Sequence, residues 1–321
     1  MIVKCTDIKS IETKDKYMNK LLKEAFFFDI ETTGLSHKYS SIISITILLK
    51  EDNKYKIYQL YCEYSIDEKE VIKYLKDIIK EKKYIITYNG NNFDIPFMIN
   101  KYIKHDINFN FDCFVKIDLY SDMRHLRNKI DINDLKLKTV ETYFNIKRDD
   151  TITGQDVITL YEAYKIEPRK EFSEIILQHN YEDVFNLPIL FKSIFKLYDK
   201  FILCNNMIVK INFSDFCFKK NTLVGNLYVI SSLEKDYLHP ALNFDLKLDI
   251  KSQLLKIDIP ISFYKDQKIQ EFYYLNNDDF SIENYTTIDG IKKKLIPLKY
   301  NDDVYQENIL NVIKSIITSI F

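Results

Sequence analysis

Two acids, two places apart at the end of an apolar run, are the first residues of this chain with evident chemistry. In FFFDIETTGL, residues 26–35, Asp29 and Glu31 follow three phenylalanines. In an extended strand residues i and i+2 share a face, so both carboxylates point the same way. A carboxylate set against an apolar framework is costly unless something meets its charge. The plainer alternative is a strand that ends at Phe28, with the acids opening a solvated loop. A third acid, Asp94, lies in YNGNNFDIPF, residues 88–97, where Asn89-Gly90 reads as a turn. Asp94 is equally placed to N-cap a helix that holds Pro96 in its first turn. HNYED, residues 179–183, puts His179 and Asp183 one helical turn apart. The stripe they join is otherwise apolar: Phe172, Ile176, Leu187, Leu190, Ile194 and Leu197. A surface ion pair normally faces away from such a stripe. A satisfied buried pair fits the same spacing, as does half of a transition-metal site, although no further His or Cys stands close by.

Taken together, four carboxylates (Asp29, Glu31, Asp94 and Asp183) come from three distant segments. Hard divalent cations such as Mg²⁺ or Mn²⁺ take oxygen ligands. Two of them about 3.5–4 Å apart can hold the attacking and leaving oxygens of an in-line phosphoryl displacement. The acids and the ions then compensate one another, and the set suits phosphodiester cleavage, internal or terminal alike.

The elements that must position these residues are legible in outline. Residues 24–30 read as a central strand, apolar on both faces. Residues 41–50 and 54–63 read as a hairpin turning at Asp52-Asn53. Residues 66–83 carry helical spacing with acids early and lysines late. A strand at 84–90, a helix at 94–106 and a strand at 114–120 follow, then helices to about residue 199, with Pro188 bending the last of them just past Asp183. This order predicts an α/β domain with a mixed sheet flanked by helices. Residues 1–23 are polar and lysine-rich and read as an N-terminal arm with a short helix at MNKLLK. Beyond residue 200 short alternating β segments dominate and a terminal amphipathic helix closes the chain, giving a smaller β-rich α+β domain over 200–321. Two expected turns in it are LEKD (233–236) and YKDQK (264–268).

The totals narrow the classes. The chain has 321 residues, 46% hydrophobic and 29% charged, which fits globular domains rather than disorder. A net charge of −1 makes no global case for nucleic acid or an anionic membrane. Five scattered cysteines without a CxxC point to a reducing cytoplasm. No apolar signal core opens the chain and no stretch approaches ~18 uncharged apolar residues, so neither export nor a membrane span is expected.

DIETTGL, NGxxFDxP and a late helix with a base shortly before an Asp resemble the three exonuclease motifs of the DEDD superfamily, whose fold is ribonuclease-H-like. LKTVE at 137–141, GQDVITLY at 154–161 and HN-x-x-D before an apolar run resemble its YprB-like subgroup. The resemblance covers about residues 24–195. It implies a 3′-5′ exonuclease that hydrolyses single-stranded DNA or RNA from 3′ ends with two divalent ions. Asp29 would bridge the two ions, Glu31 and Asp183 would complete one site and Asp94 would hold the second through water. His179 would be the general base. Thr32, Thr33, Gly34 and Leu35 would cradle the terminal nucleotide, with Asn89 and Phe93 lining the same cleft, although Phe93 also suits core packing. The chain departs from the pattern at one point: histidine-type members place the base five residues before the last Asp, tyrosine-type members four, and here a histidine stands at four. A structure-selective endonuclease, and a nucleic-acid-binding protein with a vestigial site, remain the rival readings.

Overall fold

The computed structural model describes residues 1–321 except 15, 205, 206, 232, 234 and 266–269. The expected turns at 233–236 and 264–268 overlap residues outside this set. The chain divides into two units, Met1–Leu197 and Tyr198–Phe321.

In the first unit the elements run β1 (Ile2–Ile8), α1 (Lys16–Glu24), β2 (Ala25–Thr32), β3 (Ile42–Glu51), β4 (Lys54–Tyr61), α2 (Glu68–Ile79), β5 (Tyr84–Thr87), α3 (Asp94–Lys104), β6 (Val115–Asp118), α4 (Leu119–His125), α5 (Leu137–Tyr143), α6 (Gly154–Ile166), α7 (Lys170–Phe185) and α8 (Leu187–Phe195). The strands order as β1-β4-β3-β2-β5-β6. The pairs β1–β4, β4–β3 and β3–β2 are antiparallel, and β2–β5 and β5–β6 are parallel. The α/β class with a mixed sheet, read from the order of elements, is therefore the class observed.

β2 is central because both of its faces are apolar. Phe26, Phe28 and Ile30 pack with Val71, Ile72 and Leu75 of α2 and Phe97 and Met98 of α3. On the other side Phe27 meets Phe191 of α8 edge to face at 6.1 Å, and α6 and α7 cover the sheet through Val157, Tyr161, Ile176 and Leu177. The β3–β4 hairpin turns at Asp52 and Asn53, both with positive φ (47° and 63°), the backbone that Asp and Asn tolerate best after glycine. Pro188 falls in the first turn of α8, so the long helical segment breaks just beyond Asp183.

The structure corrects the reading of residues 1–23 as an arm. Ile2–Ile8 pairs with β4 from Ile2↔Tyr61 to Ile8↔Tyr55 and forms the edge of the sheet. An edge strand with most side chains in solvent keeps no apolar alternation, so its sequence resembles an unstructured lead. α4 was also absent from the sequence reading. Its seven residues are too few to display a helical period.

The second unit, among its described residues, holds a seven-stranded and a four-stranded antiparallel sheet with its own apolar core. Its last helix, α9 (Gln306–Ile320), buries Ile309, Val312, Ile313, Ile316 and Ile317 at helical spacing. No helix among the described residues is long and apolar enough to cross a membrane.

Candidate active site

The C-terminal end of β2 delivers Asp29 and Glu31 onto the sheet face covered by α7. Opposite them in register stand Thr46 and Ser44 of β3, and Thr46 in turn faces Gln59 of β4. This is a polar row across an otherwise apolar sheet, and α7 is stapled to it. Asn180 accepts from the hydroxyls of Thr46 (2.7 Å) and Ser44 (3.0 Å) through Oδ1 and donates Nδ2–H to Asp29 Oδ2 at 2.7 Å. Gln59 donates to the Leu177 carbonyl at 2.6 Å. Asn180, fully buried, therefore fixes the rotation of α7, and that rotation sets His179 and Asp183 beside Glu31.

His179 Nε2 lies 3.3 Å from Glu31 Oε1 and 3.5 Å from Asp183 Oδ2. One ligand atom from each of these three residues lies within 4.8 Å of the others. Spacing of four on the helix thus brings the ring into the acid cluster itself rather than to its rim. Asp94 enters from the other side of the strand. It does not cap its helix, since Phe93 occupies the N-cap position and no side chain caps there. Its Oδ1 instead accepts the backbone N–H of Ile30 at 3.1 Å, between Asp29 and Glu31.

The electrostatics follow from burial and crowding. Burial first, then Asp94, Asp183 and Glu31, hold the Asp29 carboxyl well above the usual carboxylate range, against the single pull of Asn180. Glu31 is raised chiefly by burial, with His179 opposing. Asp94 is pushed up to about 7, again chiefly by burial, with Asp118 and Glu31 adding to it against the Ile30 N–H. Burial alone lowers His179, but Glu31, Asp183 and Asp150 outweigh it and hold the imidazole at about 9.

Sequence reasoning weighed Arg148 and Lys138 only as phosphate contacts or solvated residues and did not place them, or Asp150, beside the acids. Arg148, with its side chain 8% exposed, reaches Asp183 Oδ1 at 2.6 Å, Asp150 Oδ2 at 2.9 Å and Glu141 Oε2 at 3.2 Å. Asp183 is thus already compensated on one oxygen, while its other oxygen faces His179. Asp150 also holds His179 Nδ1 at 2.7 Å. Only the composition RDD at 148–150 hints at such a cluster, and nothing local says which helix it meets.

The other candidates divide. Thr32 is buried, and its hydroxyl donates to the Gly34 carbonyl at 2.8 Å. Thr33 and Ser41 bond one another twice and close the loop after β2. Leu35 is 84% exposed at the tip of that loop, free to meet a ligand. Phe93 is half-buried against His37 and Phe97, at 5.9 and 5.7 Å, which is core packing. Asn89 lines a cleft of about 550 Å³ together with Asp29, Tyr88, Tyr120, Leu135 and Lys136.

The donors suit a hard divalent cation, because carboxylate oxygens dominate and the single imidazole is compatible with Mg²⁺ or Mn²⁺ beside them. The least compensated of the oxygens belong to Asp29, which has no cationic partner among the described residues.

A family model of the RNase_H superfamily, RNase_H_2, matches residues 26–195. No curated protein matches. Among solved structures, the family B DNA polymerase of the hyperthermophilic archaeon Pyrobaculum calidifontis is 17% identical over 54% of this chain and 25% of its own, with a TM-score of 0.44. A structure described as the apo form of a nuclease is 15% identical over 57% of this chain and 76% of its own, with a TM-score of 0.34. The Nibbler EXO domain of Aedes aegypti is 15% identical over 56% of this chain and 82% of its own, with a TM-score of 0.38. The chain spans about a quarter of the polymerase's length.

Proposed function

Because the chain belongs to the RNase_H superfamily, we propose that it is a metal-dependent nuclease of the DEDD type, close to the YprB-like subgroup, acting as a 3′-5′ exonuclease on single-stranded DNA or RNA. The observation that supports this most is the geometry of the acids: Glu31, His179 and Asp183 share one 4.8 Å cluster, and Asp94 is bonded to the backbone between Glu31 and Asp29. Asp29, Glu31, Asp94 and Asp183 hold the cations in this reading. Divalent ions held there would supply charge stabilisation to an in-line phosphoryl displacement.

The chain's own residues do the rest. His179, held at about 9, carries a proton at neutral pH while the carboxylates around it are uncompensated. As a general base it would have to give that proton up, and cations held by the acids would supply the charge compensation that loosens it. The loop at residues 33–35, with Leu35 exposed at its tip, and the cleft lined by Asp29, Asn89 and two tyrosines receive the terminal nucleotide.

The test uses the full chain with Mg²⁺ or Mn²⁺ and 5′-labelled single-stranded DNA and RNA. A ladder that shortens from the 3′ end is expected. Discrete internal products would replace the exonuclease reading with an endonuclease one. Tight retention of substrate without cleavage would replace both with a binding role.

A further inference from the structure

His179 has two ring nitrogens, and the residues that hold them differ in kind. Nε2 faces the acid cluster, while Nδ1 lies 2.7 Å from Asp150 Oδ2. Since a carboxylate of this sort accepts, Nδ1 is the donor, and the ring is left with Nε2 turned toward Glu31 and Asp183. Asp150 belongs to the loop between α5 and α6 and contributes no atom to the acid cluster.

That loop is built to keep Asp150 still. Its side chain is 4% exposed. Oδ2 also accepts from Arg148 Nη2 at 2.9 Å, and Lys138 Nζ stands 3.1 Å away. Oδ1 accepts the backbone N–H of Ile152 at 3.1 Å. The backbone N–H groups of Asp149 and Asp150 both donate to Glu182 Oε2, at 2.9 and 3.1 Å, so the loop is pinned to the same helix that carries His179. Immediately downstream, Thr153 and Asp156 form a reciprocal capping box that fixes the start of α6. A carboxylate tied at both oxygens and through its own N–H cannot follow the ring if the ring turns, so it sets the ring's orientation.

We propose that Asp150 is a positioning residue, whose carboxylate accepts the Nδ1 proton of His179 and aims Nε2 at the reacting centre. This rests on the nuclease reading above only for its kinetic consequence. The hydrogen bond itself is testable without catalysis.

Two variants of the full chain separate the roles. Asp150→Ala removes the acceptor, whereas Asp150→Asn keeps an oxygen that can accept the same proton. With Mg²⁺ and single-stranded DNA, Asp150→Ala is expected to lower kcat about 10–100-fold, the range typical of outer partners of a functional histidine, with KM within about twofold. Asp150→Asn should recover much of that loss. In proton NMR the wild-type chain and Asp150→Asn should show a downfield, slowly exchanging ring N–H that is missing from Asp150→Ala and from His179→Gln. Wild-type kcat in Asp150→Ala overturns the proposal, as do equal losses in both variants that merely track a fall in Tm. An inactive wild-type protein that still shows the ring resonance sinks the nuclease reading and leaves the positioning intact. A ring protonated only at Nε2 sinks the positioning and leaves the nuclease reading intact.

Discussion

Asp29 and Asp183 have the same side chain and opposite circumstances. Asp183 has Arg148 at 2.6 Å, whereas Asp29 has, among the described residues, only the Asn180 amide at 2.7 Å and three other acids around it. Asp29→Asn is therefore expected to raise the Tm of the metal-free protein, since it removes a carboxyl whose ionisation is opposed by burial and by three neighbouring acids. The same change should lower cleavage by at least about 10³-fold, because a metal ligand carries several kcal/mol of charge stabilisation. Thermal melts and the labelled-substrate assay check both halves, and unchanged turnover would defeat the site. Arg148→Gln should act the other way. It takes the guanidinium from buried Glu141 and Asp183 and leaves Asp150 to Lys138 and His179, and should cost about 3–5 kcal/mol in urea denaturation, part of it recovered by adding Mg²⁺. The pairing of His179 with Asp183, and of Asp29 with Glu31, was legible because helix and strand periods are local, whereas the meeting of the two pairs was expected only from the pattern of acids and the family resemblance. Arg148 and Asp150 were not placed there, because they stand in a loop and no period links a loop to the helix it lands on.

Elements place these residues through a few fixed joints, and the turn between β5 and α3 is one of them. Asp118, at the end of β6, accepts from the backbone N–H groups of Asn89 (2.7 Å) and Asn91 (3.1 Å), which holds the turn that presents Asn89 and leads into Asp94. Asn89 adopts φ 65°, and a Cβ on Gly90 would stand 2.4 Å from Thr87 Oγ1. Thr87 is buried at the end of its strand, and its Cβ and Cγ2 would stand 2.5 and 2.7 Å from the added carbon, so turning the Thr87 side chain does not relieve the contact. Gly90→Ala should therefore cost roughly 1–3 kcal/mol by overpacking and displace Asp94 enough to slow cleavage. Denaturation midpoints and cleavage rates measured together check this, and an Ala variant with native stability and rate would show that the turn is not a joint. The sequence marked Asn89-Gly90 as a turn but said nothing of Asp118, which it left inside an ordinary strand. The same limit applies to β1, whose polar side chains carry no period. The central strands were legible because burial on both faces leaves an unmistakable apolar run.

At the scale of the molecule, each unit has a core of its own, and every residue of the candidate site lies in Met1–Leu197. The unfolding of that unit therefore reports the site's electrostatics directly. Asp94 has a folded pKa near 7, above the value of about 3.9 for an unfolded aspartate. Folding favours its neutral form, so its contribution is fully present below about pH 4 and is lost as pH rises through 7. His179, raised to about 9, has the same sign and gives up its contribution between about 6.5 and 9. Asp150, lowered to about 2, has the opposite sign, and its ion pairs are lost only in strong acid. The metal-free chain should accordingly melt higher at pH 5 than at pH 8. Divalent cations meet the charges that appear over this interval, so protons and Mg²⁺ compete for the same oxygens. The rise in Tm on adding Mg²⁺ should be several degrees at pH 8 and smaller at pH 5, measured for the transition of the first unit. A metal-free Tm that climbs steadily from pH 5 to 8, or a Mg²⁺ increment that grows as pH falls, would mean that these acids are compensated within the protein and need no cation.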